Sequence, residues 1–264
     1  MATVSNYIRQ IQSYEEFAFS WEELLEKTNA PEPTLRKELV RLSAANEIIN
    51  IRKGFYLIIP PRYVLYGKIP LELYVDKLFK YLDKSYYIGF YSAAVFWGAA
   101  HQRIQQDYVI TAPPALREIK KKNIIIRFFN AHNWPQKNIL QKNSDAGYFN
   151  LSSPALTFAD LIHNHPRLGG LNRMLVILEE LLESLQLNDL GELLTWYKNK
   201  SVLQRMGYLM DEFFRIKKFS NKIFNHLRTD TFFPVLLSPR IGEKAGSAGN
   251  RWKVDVNIKL DGDL

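Results

Sequence analysis

The sequence predicts an α+β protein, with a small N-terminal domain followed by a larger mixed α/β domain with a helical C-terminal layer. Helical patterns and a short hairpin occupy roughly the first 60 residues, and strand-like runs alternate with helical patterns from residue 71 to residue 162. Three helical stripes follow residue 171. At 264 residues, the chain is long enough for two domains.

A proline-flanked connector, PPRYVLYGKIP, separates the two predicted domains. We place the boundary between residues 1–66 and residues 67–264. Within the larger domain, residues 67–150 are predicted to be the mixed α/β part and residues 151–264 the mainly helical part. Two strand-like runs near the C-terminus enclose a Gly-rich loop, residues 242–250, and predict a terminal hairpin there.

The segment PEPTLRKELVRL, residues 31–42, has the pattern of a helix with two different faces. At 100° per residue, one stripe consists of Leu35, Leu39 and Leu42. The other side carries Arg36, Lys37, Val40, Arg41 and Ala44. Pro33 is tolerated in a first turn, and Thr34 adds a polar residue beside it, so the helix is predicted to begin near residue 33. One face belongs to the core, and the other is free to contact a partner.

The neighbouring segments give this helix a recognisable context. Upstream, Ser20 and Glu23 have the spacing of a capping box at the start of a preceding helix. Downstream, apolar runs at residues 47–51 and 55–59 predict a hairpin whose tip, Arg52-Lys53-Gly54, we call the wing tip. Helix, turn, basic helix and hairpin is the order of a winged helix-turn-helix, in which the second helix enters a major groove and the wing lies along phosphates.

The charges of the N-terminal domain are segregated along the sequence. Residues 1–33 hold two basic and six acidic side chains, whereas residues 34–62 hold six basic and two acidic ones. A polyanion favours such a concentration of positive charge through counterion release. The pattern therefore predicts DNA binding, with a solvated helix face and a protein-docking winged helix as the alternatives.

The whole chain is basic, with a net charge of +8, and residues 67–150 supply much of the excess with twelve basic and six acidic side chains. This excess includes REIKKKNIIIR, residues 117–127, which we interpret as a loop entering a strand. A solvated loop and a second phosphate contact are both compatible with that segment. The chain has no cysteine, no signal-peptide pattern and no long apolar run, so we expect a soluble, cytoplasmic protein without disulfides or membrane spans.

The sequence gives no support for catalysis, for a metal or for a cofactor. His163 and His165 point about 200° apart on a helix, and no third metal ligand accompanies them. We interpret them as two exposed histidines at a helix C-terminus. The loop 242–250 lacks the order of a phosphate-binding P-loop, which favours a flexible hairpin over a phosphate cradle. We therefore predict a protein that is not an enzyme.

Several segments, taken in order, resemble a known family. They are IRKGFYLI, YYIGFYSAAVFWGAAHQ, YVITAPP, NLSSPALTFADLI, RMGYLMDEF, LLSPR and NRWKVDVN. Together they resemble the AbiEi family of type IV toxin–antitoxin antitoxins and transcriptional regulators, over roughly residues 15 to 258. The family pattern has Glu-Arg after the Ser-Ser-Pro motif, where this chain has Ala155-Leu156.

The resemblance implies a cytoplasmic bacterial autorepressor and antitoxin that acts in abortive infection, a form of phage defence. Its partners would be double-stranded operator DNA and a nucleotidyltransferase-like toxin. The DNA-binding residues would be Thr34, Arg36, Lys37, Arg41, Arg52 and Lys53. Two alternatives stay open: a degenerate nucleotide-processing enzyme in residues 70–264, and a regulator without a toxin partner that senses a small ligand in its aromatic middle domain.

Overall fold

A computed structural model describes residues 3–100, 105–239, 241–244, 246 and 248–261. Its contacts divide the chain into two units. Unit 1 comprises Met1–Tyr87, Gln105–His132 and Gln141–Leu151, and unit 2 comprises Ile88–Ile104, Asn133–Leu140 and Ser152–Leu264. Helices and sheets are both present, so the predicted α+β class is confirmed. The domain boundary predicted at residue 66 falls inside unit 1. The division into an N-terminal DNA-binding domain and a larger C-terminal domain stays a prediction.

The N-terminal segment contains the predicted helices, turn and hairpin. Its elements are α1 Val4–Gln12, β1 Ala18–Ser20, α2 Trp21–Lys27, α3 Glu32–Ala44, β2 Ile48–Arg52 and β3 Phe55–Ile58. The capping box predicted at α2 is confirmed, since the Ser20 hydroxyl accepts from the Glu23 N–H and the Glu23 carboxylate accepts from the Ser20 N–H. Beyond α3, Asn46 adopts a left-handed φ of 61°, a conformation that often ends a helix.

Strands β1, β3 and β2 form an antiparallel sheet in that order. The pairing of β2 with β3 shifts between Asn50 and Arg52, which is a β-bulge beside the wing tip. Between this sheet and the helices lies a core that includes Tyr7, Phe19 and Leu24. This core supplies the apolar surface on which α3 packs.

The rest of unit 1 centres on a six-stranded sheet. Two helices come first, α4 Pro61–Val64 and α5 Val75–Tyr81. The strands are β4 Tyr86–Ile88, β5 Asp107–Thr111, β6 Ile119–Lys121, β7 Ile124–Asn130, β8 Ile139–Ser144 and β9 Gly147–Ser152. Their order is β6-β7-β5-β4-β9-β8, with β5 parallel and β6 antiparallel to β7. Strands β5 and β7 contain apolar runs of the kind expected between residues 71 and 162. Strand β6 lies in the segment 117–127 that we interpreted as a loop entering a strand, and like β8 it is too polar to show a strand pattern.

Unit 2 is mainly helical. Its helices are α6 Phe90–Phe96, α7 Pro154–Asn164, α8 Leu175–Ser184, α9 Leu187–Trp196, α10 Lys200–Tyr208 and α11 Lys217–Leu227. The Ser153 hydroxyl caps α7 by accepting from the Leu156 N–H, and Pro154 occupies the first position of the helix, where proline is tolerated. A π-helical turn, Leu209–Phe213, extends α10. Among the two histidines of the α7 end, His163 is exposed as expected, but His165 is buried, and its Nδ1 lies 2.7 Å from the Ile162 carbonyl.

The predicted terminal hairpin is wrong. Strands β10 Val235–Leu236 and β11 Val254–Asp255 pair, but they are parallel. A hairpin connection joins antiparallel strands, so the chain between β10 and β11 must instead cross back to the starting end. The Gly-rich loop lies within this crossover, and its residues 245 and 247 lie outside the described residues.

A buried carboxylate joins the C-terminal segment to the π-helical turn. Asp211 Oδ1 accepts from Lys217 Nζ at 2.6 Å and from Ser220 Oγ at 3.2 Å. Its Oδ2 accepts from Arg251 Nε at 2.7 Å and from the Trp252 indole N–H at 2.9 Å. Burial opposes ionisation of Asp211, but these bonds and the charge of Arg251 lower its pKa overall. The side chain is therefore a carboxylate with both oxygens satisfied.

Trp252 packs directly on α10 at Gly207, where a Cβ would lie 1.9 Å from the indole ring. We expect Gly207→Ala to destabilise the protein by at least about 2 kcal/mol, because the buried ring has no space to move. Gly191→Ala in α9 is the matched control, since its Cβ would meet only the flexible end of Lys222 at 3.0 Å. Alanine is the better helix former, so this control should be neutral or stabilising by up to about 1 kcal/mol. Urea unfolding measures both, and equal stability of the two variants would contradict the packing argument.

Candidate nucleic-acid interface

Helix α3 divides its side chains between the core and the solvent as the sequence predicted. Leu35, Leu39 and Leu42 are buried, with at most 5% of their surface exposed. The exposed side chains of α3 include Thr34, Arg36, Lys37, Val40, Arg41 and Ala44. Burying the leucine stripe therefore leaves three cations on the outer face.

Glu38 fixes α3 against the start of α1, a role that we did not predict. Its carboxylate accepts from the Val4 N–H at 2.8 Å, from the Ser5 N–H at 3.1 Å and from the Ser5 hydroxyl at 2.8 Å. These two amides belong to the first turn of α1, where a negative charge is favourable. The sequence gives one indication that Glu38 faces inward, because it lies on the same helical stripe as Leu35 and Leu42.

Local contacts orient the cations of α3 without burying them. The Arg36 guanidinium lies 4.3 Å from the centre of the Trp21 ring and 3.2 Å from the Glu32 carboxylate. Arg41 donates to the Ser5 hydroxyl at 3.4 Å. Lys37 forms no ion pair within the described part of the chain. Arg36 and Arg41 each keep more than 60% of the side chain exposed, so both can reach a ligand.

Arg52 of the wing tip is turned towards the larger sheet of unit 1. Its guanidinium donates from Nη2 to the Arg117 carbonyl at 3.0 Å and lies 5.8 Å from the centre of the Phe128 ring. Burial lowers the pKa of Arg52, and its Nε has no hydrogen-bond partner among the described residues. This side chain is engaged in packing, which leaves Lys53 as the exposed cation of the wing tip.

The wing tip is held in place from two sides. The Tyr81 hydroxyl donates to the Lys53 carbonyl at 2.9 Å, and the Trp21 N–H donates to the Gly54 carbonyl at 2.7 Å. Gly54 has a φ of 73°, and a Cβ there would lie 2.8 Å from the Tyr81 oxygen. Both the conformation and the space at this position require glycine. The wing tip is therefore a fixed turn that presents Lys53.

These side chains can bind a polyanion. The exposed face of α3 offers guanidinium groups suited to phosphates and guanine edges, an ammonium group and a short hydroxyl. In the described ranges, no group of three or more His, Asp or Glu side chains is placed to hold a metal. Nor does any described helix have the length and apolar character needed to cross a membrane.

The architecture places this chain in a class of two-unit α+β proteins with an exposed basic helix near the N-terminus. Residues 87–212 match the family model described as the AbiEi antitoxin C-terminal domain. The match confirms the family resemblance inferred from the sequence over these residues. A comparison with curated proteins finds no match.

A solved structure shares the fold over nearly the whole chain. It is the crystal structure of the RV2827C protein from Mycobacterium tuberculosis, which is similar with a TM-score of 0.61 and 13% identity. The similarity covers 95% of this chain and 89% of that chain. At this identity the likeness concerns the fold alone.

The role of Glu38 predicts a pH-dependent contribution to stability. Burial opposes ionisation, but the bonds from Val4 and Ser5 and the charge of Arg41 lower the pKa of Glu38 overall. A lowered pKa in the folded state stabilises the protein above the ordinary glutamate pKa, and this contribution is lost as the pH falls through the folded-state pKa. We expect Glu38→Gln to cost about 1–3 kcal/mol at pH 7 and progressively less on acidification, as measured by urea unfolding.

Glu32→Gln is the matched control for this measurement. Glu32 lies on the same helix and forms an exposed ion pair with Arg36. Exposed pairs one helical turn apart contribute about 0.5 kcal/mol or less. A Glu38→Gln variant as stable as the control at neutral pH would contradict the tether between α1 and α3.

Proposed function

We propose that the chain is a DNA-binding autorepressor and antitoxin of a type IV toxin–antitoxin system. Its N-terminal segment acts as a winged helix-turn-helix, with α3 as the recognition helix and the turn between β2 and β3 as the wing. The observation that carries this proposal is the exposed basic face of α3 beside the fixed wing tip. The family match of residues 87–212 supports the antitoxin part.

The contacts of α3 favour a helix prepared for a major groove. The Arg36 guanidinium lies over the Trp21 ring, and this contact restricts the side chain before binding, which reduces the entropy lost on binding a base or a phosphate. Thr34 and Lys37 lie on the exposed side, where Lys37 forms no ion pair with any residue that the structure describes, and Lys53 is exposed on the wing. Arg52 donates to the Arg117 carbonyl, so in this proposal it supports DNA binding by holding the wing in position.

The antitoxin activity is assigned to the larger part of the chain that follows the N-terminal segment. Its partner in this proposal is a nucleotidyltransferase-like toxin, and the system acts in phage defence inside bacterial cells. Ala155 and Leu156, where the family pattern has a charged pair, are buried on α7. These two positions therefore contribute to the core of unit 2 and offer no charge to a toxin.

We expect Arg36→Gln combined with Lys37→Gln to weaken binding to the upstream DNA of the chain's own gene. A lost arginine–base contact costs about 1–3 kcal/mol, and a lost lysine–phosphate contact makes the slope of log K against log salt less steep by about 0.9. Fluorescence anisotropy at several salt concentrations gives both quantities. Arg41 is left unchanged because it contacts Ser5 and a substitution there would also disturb α1.

A charge-matched control is Lys198→Gln combined with Lys218→Gln, two exposed lysines of unit 2. This control should bind the upstream DNA as the wild type does, and both double variants should keep the wild-type thermal unfolding midpoint. Equal affinities of the wild type for the upstream DNA and for a scrambled duplex would instead exclude specific repression. In that outcome, the basic face of α3 would serve a protein partner.

The antitoxin activity predicts rescue of growth. The neighbouring open reading frame, expressed from an unrelated inducible promoter, should arrest growth, and co-expression of this chain should restore it. The Arg36→Gln, Lys37→Gln variant should rescue as well as the wild type, because repression of the native promoter plays no part in this assay. Growth arrest without rescue by the folded wild-type chain would exclude the antitoxin role and favour a regulator without a toxin partner.

A further inference from the structure

A second basic element of unit 1 lies beside the C-terminal end of α3. It is the hairpin of β6 and β7, which carries lysines at positions 120 and 121 of β6 and at position 122 of the turn, and we call it the lysine hairpin. We infer that the lysine hairpin is a second DNA contact that binds phosphates flanking the site read by α3. This inference rests on the proposed function, since it extends the same interface.

Buried residues on both strands and a short connection hold the lysine hairpin in one conformation. Ile119 and Ile124, which flank the lysines, are both buried and anchor the two strands. Lys121 pairs with Ile124, so the connection consists of Lys122 and Asn123 alone. Lys122 adopts a left-handed φ of 50°, which keeps the turn tight. The three lysine side chains are exposed.

Three contacts fix the position of this hairpin relative to α3 and the wing. Lys122 donates from Nζ to the side chain of Asn46, which lies just beyond the end of α3. On the other side of the turn, Asn123 donates to the Tyr66 carbonyl at 3.1 Å. At the base of β6, the Arg117 carbonyl accepts from Arg52 of the wing tip. The lysine hairpin therefore lies next to the end of α3 and next to the wing within unit 1.

The charge of this hairpin is available to a ligand. Arg127 and Glu118 pair with each other at 3.1 Å and so neutralise each other. Lys120 and Lys121 form no ion pair within the described ranges, and Lys122 is bound to a neutral side chain. An exposed acidic residue, Glu47, directly follows Asn46 in the sequence. The hairpin thus presents Lys120 and Lys121 as free ammonium groups.

The position of the hairpin indicates phosphates as its ligands. From Arg36 to its last residue, Ala44, α3 extends by roughly 12 Å at the rise of an α-helix, and Asn46 lies beyond that end. The lysine hairpin therefore lies beyond the bases that the start of α3 can reach. Lysines act as point charges on phosphates, so this contact adds affinity that does not depend on sequence.

The test is DNA binding by Lys120→Gln combined with Lys121→Gln. Lys122 is kept because its bond to Asn46 supports the turn. On operator DNA extended by about one helical turn at each end, the salt slope should become less steep by about 1.8, and the affinity should fall at least about tenfold at 0.1 M salt. The ratio of affinities for operator and scrambled DNA should stay unchanged, and hydroxyl-radical footprinting should lose protection at flanking positions only.

The matched control is again Lys198→Gln with Lys218→Gln, which removes the same charge from unit 2. Wild-type affinity and salt slope for the Lys120, Lys121 variant would overturn the inference, while loss of binding in the Arg36, Lys37 variant would leave the proposed function standing. If the wild-type protein does not bind operator DNA, the result contradicts the proposed function itself, and the inference that rests on it is overturned as well. Weakened binding to the toxin, with DNA binding unchanged, would assign the lysine hairpin to a protein partner and also overturn the inference.

Discussion

The leucine stripe of α3 must be buried, and this constraint determines what the helix presents to solvent. Three leucines and the carboxylate of Glu38 lie on one side, where they contact the core and the first turn of α1. Rotation of α3 about its axis would expose the leucines and separate Glu38 from the amides of Val4 and Ser5. The basic face therefore has one orientation, which the proposed role of α3 in DNA binding requires.

The wing depends on the remainder of unit 1 as much as on its own hairpin. Tyr81 of α5 binds the Lys53 carbonyl, and Arg52 reaches the strand hairpin at Arg117. Strand β3 also pairs with β1 in a three-stranded sheet, so these contacts add to the sheet by fixing the turn at the wing tip. They also explain why the contacts of the chain group the N-terminal segment with the six-stranded sheet, although the sequence marks a connector at residues 60–70.

Local chemistry made much of the fold predictable. A few neighbouring residues are enough to predict the capping box at Ser20 and the cap at Ser153. The same holds for the leucine stripe of α3 and for the apolar strands β5 and β7. The missed features depend on distant partners. Arg52 has the sequence of an exposed wing cation, but it packs on residues 65 positions away, and the parallel pairing of β10 with β11 depends on a crossover that no local pattern reveals. Tyr86, Tyr87 and Tyr91 of the middle segment are buried, as is expected for aromatic side chains in a nearly continuous apolar run.

The matched antitoxin domain is completed by residues that follow it. The family match ends at residue 212, one residue after Asp211, yet two of the four groups that bind the Asp211 carboxylate come from Arg251 and Trp252. A buried carboxylate without cations is costly, because a loss of partners leaves its charge uncompensated. The C-terminal segment therefore stabilises the π-helical turn and α10 through one charged centre. This dependence gives a physical reason why RMGYLMDEF and NRWKVDVN, widely separated in the sequence, occur together in this chain.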